Sequence, residues 1–123
     1  MLFSSADEYL HLAVIIPTLT SWPEARQSVG AISLAVEMVN ARVDHFGGKQ
    51  LRFQWREADC DSSDSMAQLS LMFEAGPVDA VIGPDCNLAC ESSAYLTAGR
   101  NILQISYRHA TSRELHLRVL SVM

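Results

Sequence analysis

The amino-acid sequence predicts an α/β fold, a doubly wound and mostly parallel sheet in the strand order 2-1-3-4, and three observations carry that reading. Four stretches have strand length and strand patterning: His11–Pro17, Leu51–Ala58, Val78–Ile82 and Ile102–Ser106. Each is separated from the next by a stretch with helical caps and helical spacing of apolar residues. Helical connections of that length join parallel neighbours through right-handed crossovers.

The first run, HLAVIIP, is continuously apolar and rich in β-branched residues, as expected of a strand covered on both faces. Ser21 and Glu24 then form a capping box, with Pro23 in the first turn, where its missing N–H is no loss. Val29, Ile32, Val36, Val39 and Val43 recur at steps of three and four, so they predict one buried stripe, ended by Gly47 and Gly48. In the second run Leu51, Phe53 and Trp55 alternate with Arg52, Gln54 and Arg56, the pattern of a half-exposed edge strand. Asp61–Asp64 offers N-caps for a second helix whose Met66, Leu69, Met72 and Phe73 face inward, and Gly76-Pro77 stops it. After the third run come a sharp Gly83-Pro84 turn, a helix over Leu88–Ala98 closed by Gly99, and the fourth strand. The segment from Arg108 to Met123 is rich in Arg and His, lacks a clear period before Leu115, and is expected to be poorly ordered.

A chain of 123 residues can bury one core, so one domain is expected. Its net charge of -5 comes without Lys/Arg clusters, which argues against nucleic acid as a partner. No apolar run approaches the roughly 20 residues that cross a bilayer. Met1–Glu8 lacks the charged start and apolar stretch of a secretory signal, so the chain is expected to begin inside a longer product.

No catalytic signature accompanies the fold. Pro17–Ser21 has no glycine where a dinucleotide loop needs several, and phosphate-loop, serine-elbow and zinc-helix motifs are all missing, so no enzyme is expected. His11, His45, His109 and His116 fall in different elements without metal-binding spacing. Asp59, Asp61 and Asp64 could hold a hard cation, but they stand at a helix start, where carboxylates offset the helix dipole; capping is the favoured role.

Cys60 and Cys86 follow the second and third strands, so the fold brings both to one rim, where a bridge is feasible if the loops lean inward. Cys90, one turn after Cys86, reads as a small buried hydrophobe in preference to part of a three-thiolate metal site, for which no fourth ligand is evident. The backbone N–H groups of Asp85, Cys86 and Asn87 lead into a helix start and could hold a small anion, against which the Asp85 charge works.

The stretch Val81–Tyr107, VIGPDCNLACESSAYLTAGRNILQISY, resembles the strand, Gly-Pro-x-Cys turn, helix and strand of receptor guanylate cyclase ectodomains, including natriuretic peptide receptors. Gly30–Val43, GAISLAVEMVNARV, is similar to that family's first helix, and Ala110, Thr111, Ser112, Glu114 and Leu115 echo a segment that follows the fourth strand. The likeness covers residues 11–115, with Leu103 standing in place of a usual proline and Tyr107-Arg108 in place of small residues. It implies a partial type I periplasmic-binding-protein lobe, 11–115 being its first part and 1–10 and 116–123 tails. It implies a Cys60–Cys86 disulfide, no organic cofactor, and a site near Cys86 of the kind that holds chloride in some members.

The function so implied is the extracellular ligand-binding region of a plasma-membrane receptor of guanylate cyclase type, without catalysis in this chain. Its partners would be a peptide or small-molecule ligand taken by the complete domain and, in a receptor homodimer, a second copy. The alternative is an amino-acid or solute-binding protein of the same fold. A class C or glutamate-type receptor would place an amino acid at Ser106, Thr111 and Ser112, while the cysteine pair counts against a transport component.

Overall fold

The structure is a computed structural model that describes residues 8–17, 25–42, 45–84 and 86–106. Four strands, β1 (Tyr9–Pro17), β2 (Gln50–Ala58), β3 (Ala80–Ile82) and β4 (Leu103–Ile105), form one sheet in the order β2-β1-β3-β4. Every pairing is parallel, as the sequence predicts. The helices α1 (Ala25–Asn40), α2 (Ser62–Ala75) and α3 (Asn87–Gly99) make the crossovers.

The nine-residue pairing of β1 with β2 runs from Tyr9 opposite Gln50 to Pro17 opposite Ala58. β3 is shorter than the predicted Val78–Ile82 because Asp79 joins β1 by a different route. Its carboxylate Oδ2 accepts the His11 N–H at 2.7 Å, and its own N–H donates to the His11 carbonyl at 2.8 Å. A side chain thus stands in for one rung of the ladder.

β1 is central and its residues point alternately to the two faces. Ala13 and Ile15 pack with Ala58, Leu69, Met72 and Val81 in one fully or nearly fully buried cluster, on the α2 and α3 side. Val14 and Ile16 pack on the other side against Val29 and Ile32 of α1, with Phe53 and Ile82. Helices therefore cover both faces, the doubly wound arrangement expected.

Two helix ends, the last turns of α1 and α3, differ in detail from the sequence reading. The predicted start at Ser21–Glu24 lies outside the described residues. α1 ends at Asn40, before Val43, which also lies outside them. There the Asn40 carboxamide turns to β2, its Nδ2 donating to the Leu51 carbonyl at 3.0 Å and its Oδ1 accepting the Leu51 N–H at 2.7 Å. Gly47 and Gly48, at φ +63° and +86°, belong to a 3-10 turn over His45–Gly48 that feeds β2, and do not end the helix. At the end of α3 the left-handed residue is Asn101, at φ 57°, and Gly99 is still helical; asparagine tolerates that conformation better than most side chains.

α2 starts on the acidic cluster as predicted. Asp61 is the N-cap, its carboxylate accepting the Asp64 N–H at 2.7 Å and the Ser63 hydroxyl at 2.9 Å. Asp64 in turn accepts the Asp59 N–H at 2.6 Å. Those donors, the Asp64 N–H first, hold the Asp61 carboxyl below its ordinary value.

Candidate functional site

In an open parallel sheet the carboxyl ends of the strands leave a crevice where loops meet, and ligands collect there. Here that rim is built by the segments after β2, β3 and β4. Cys60, two residues past β2, is joined by a disulfide to Cys86, the N-cap of α3, with the Cα atoms 5.5 Å apart. The bridge ties the loop from the edge strand to the turn from β3 across the end of β1, so the two sulfurs sit at one rim.

The turn itself is held from β4. Gly83 adopts φ +87°, a conformation open to glycine and strained for other residues, and its bond to Pro84 is cis. Its N–H donates to the Ile105 carbonyl at 2.8 Å, and its carbonyl accepts Gln104 Nε2 at 3.1 Å. Gln104 is 2% exposed, and the same Nε2 reaches the Cys90 carbonyl at 3.3 Å and Cys90 Sγ at 3.5 Å. On its other side Gln104 Oε1 accepts the hydroxyl of buried Thr97 at 2.8 Å. Carbonyl groups only accept, so the carboxamide has one orientation that serves every partner.

Ser106 follows β4 at the same rim. It is 5% exposed, and its hydroxyl oxygen is buried without a hydrogen-bond partner among the described residues, as is that of Ser93 on α3. Such a hydroxyl is expected to take a partner, since leaving it unpaired costs about 1–3 kcal/mol. Among the other predicted site residues, Asp85, Thr111 and Ser112 lie outside the described residues, and Asn87 is the first residue of α3. Cys86 provides no side-chain cap, its sulfur being in the bridge, while its carbonyl accepts the Cys90 N–H at 2.8 Å. Cys90 is fully buried inside this network, the place its reading as a small hydrophobe gives it.

Gln104 and Thr97 were not singled out by the sequence. The available signal was weak: a Gln between Leu103 and Ile105 in a predicted strand, and a Thr among the apolar residues of a helix. A polar side chain at a buried position asks for a partner, and each supplies the other's.

What this rim offers chemically is a set of fixed backbone dipoles and a hydroxyl, suited to holding a polar group in place. Residues 27–118 match the receptor family ligand binding region. The chain belongs to that family. No curated protein matches it. The matched span of this receptor ligand binding region takes in the disulfide, the Gly83 turn, Gln104 and Ser106, with α1 from its third residue on, so those parts of the rim lie within it. Members of the family are binding modules, and the partial lobe seen here has the parallel sheet on which such a module is built.

Proposed function

We propose that this ligand binding region is the extracellular part of a plasma-membrane receptor, coupled to a guanylate cyclase. The family match over residues 27–118 carries the reading. The Cys60–Cys86 bridge supports the extracellular side, because disulfides persist in oxidising compartments and are rare in reducing ones. The ligand, a peptide or a small molecule, is taken by the complete domain, with Ser106, Thr111 and Ser112 among its contacts, and a receptor homodimer is the working form. Chloride at the start of α3, on the backbone of Asp85, Cys86 and Asn87, is the ion this reading assigns.

The test is antibody labelling of residues 49–60 on intact cells expressing the parent protein. Staining before permeabilisation is expected; staining only after it overturns the extracellular assignment. A rise in cyclic GMP on ligand addition distinguishes the cyclase type from other receptors.

A second reading is an amino-acid receptor of the class C or glutamate type, in which the buried Ser106 hydroxyl takes part of the amino acid. Under it, Ser106→Ala weakens amino-acid binding by about tenfold, the effect of one lost hydrogen bond. Unchanged binding would remove Ser106 from the site.

A further inference from the structure

We infer that Gln104 is a positioning residue: its carboxamide, together with the disulfide, sets the course of the chain from the β3 turn into α3 and so the shape of the rim. The bridge fixes Cys86 to Cys60, a single point in the middle of this stretch. Gln104 grips the stretch at both sides of that point, at the Gly83 carbonyl before it and at the Cys90 carbonyl one helical turn after it. Gly83 is held by β4 through both its backbone groups, the N–H by Ile105 and the carbonyl by Gln104.

Burial makes these bonds hard to replace. Gly83 is buried, so its carbonyl has no ready access to water once the carboxamide is lost. Thr97 completes the device from α3, its hydroxyl meeting the oxygen end of the carboxamide while the two carbonyls fix the nitrogen end. One side chain thereby joins β4, the β3 turn and α3. The next residue but one is Ser106, so the strand that holds the turn also presents the buried hydroxyl of the rim.

This inference needs no ligand and stands whether or not the receptor reading does, because its test reads the rim itself. Hydrogen exchange is followed in the full 123-residue chain carrying Gln104→Met, which keeps the length and removes the donors, together with the rate at which dithiothreitol reduces the bridge. Exchange at the Gly83 and Cys90 amides and reduction of Cys60–Cys86 are each expected to quicken about tenfold, the effect of one lost buried hydrogen bond on a local opening. The amides of Ala13–Ile16 in β1 are expected to stay within about twofold of the unsubstituted chain, as for an independent unit.

Thr97→Val leaves the donors in place and removes the hydroxyl that meets the carboxamide oxygen, and a smaller quickening at the same two amides is expected. Should Gln104→Met fail to fold, Thr97→Val decides alone. Unchanged exchange at Gly83 in a folded variant overturns the inference. So does a loss shared equally with β1, and so does unfolding of both variants, since Gln104 would then be supporting the whole sheet and not its rim.

Discussion

The two faces of the sheet are built from the same central strand and are covered very differently. On the α2 and α3 side, Leu69, Met72, Ala58 and Val81 close over Ala13 and Ile15, with Phe73, Val78, Leu96 and Ile102 around them. On the α1 side, Val14 and Ile16 are fully buried, yet no described residue of α1 is, and Leu34 and Met38 stand 58% and 64% exposed. Two helices that pack against each other as well as the strands seal their face; a single helix lying on the other shields the strand while leaving its own flanks open. Depth of burial therefore follows the number of layers present, and a helical stripe reports only which way a helix turns.

The largest effect expected is from removing the covalent tie. Cys60→Ser with Cys86→Ser frees a loop of 26 residues' separation and is expected to cost about 3–4 kcal/mol in the chain-entropy account, read by urea unfolding. A loss below about 1 kcal/mol would show that the network around Gln104 already restricts that loop.

On the sealed face, Leu69→Ala is expected to cost about 3 kcal/mol, because a fully buried leucine leaves a cavity its neighbours only partly fill. On the open face, Val29→Ala should cost about 1 kcal/mol, since a half-buried side chain loses little contact and the gap is reached by water. The ratio of the two is the quantity to measure, by the midpoint of denaturant unfolding. Equal losses would mean that the faces are equally tight and would break the comparison.

The smallest effect concerns the cap of α2. Because the folded-state value of the Asp61 carboxyl is lowered, its contribution is complete above the ordinary carboxylate value and disappears as pH falls through the folded one. Asp61→Asn keeps a good capping side chain and removes the charge. Thermal unfolding near neutral pH is expected to change little, while the decline toward about pH 3 becomes shallower. An unaltered acid limb would assign that decline to other carboxylates.

Much of this architecture was legible in the residues. Four strand-length stretches with capped helices between them fix the parallel order, and Asp61, with Asp64 three positions on, announces the start of α2. The meeting of Cys60 with Cys86 follows from both lying past strand ends, with the pairing itself implied by family resemblance. Less legible was anything settled by a side chain reaching across the fold. Asn40 ends its helix by turning to Leu51, Asp79 shortens β3 by reaching His11, and Gln104 governs a turn 21 residues before it. Such bonds depend on where separate segments come to rest, and local spacing carries no record of that.

The grip of Asn40 on Leu51 has a consequence for how copies of this sheet can meet. Both backbone groups of Leu51 turned away from β1 are occupied by one carboxamide, which behaves as a one-residue neighbour laid alongside β2. Lateral growth by a foreign segment is thereby blocked near the start of that border. At the opposite border, β4 has β3 alone as its partner among the described residues. The two borders therefore differ where the sheet begins: at Leu51 an added segment meets an occupied backbone, and beside β4 no described residue stands in its way.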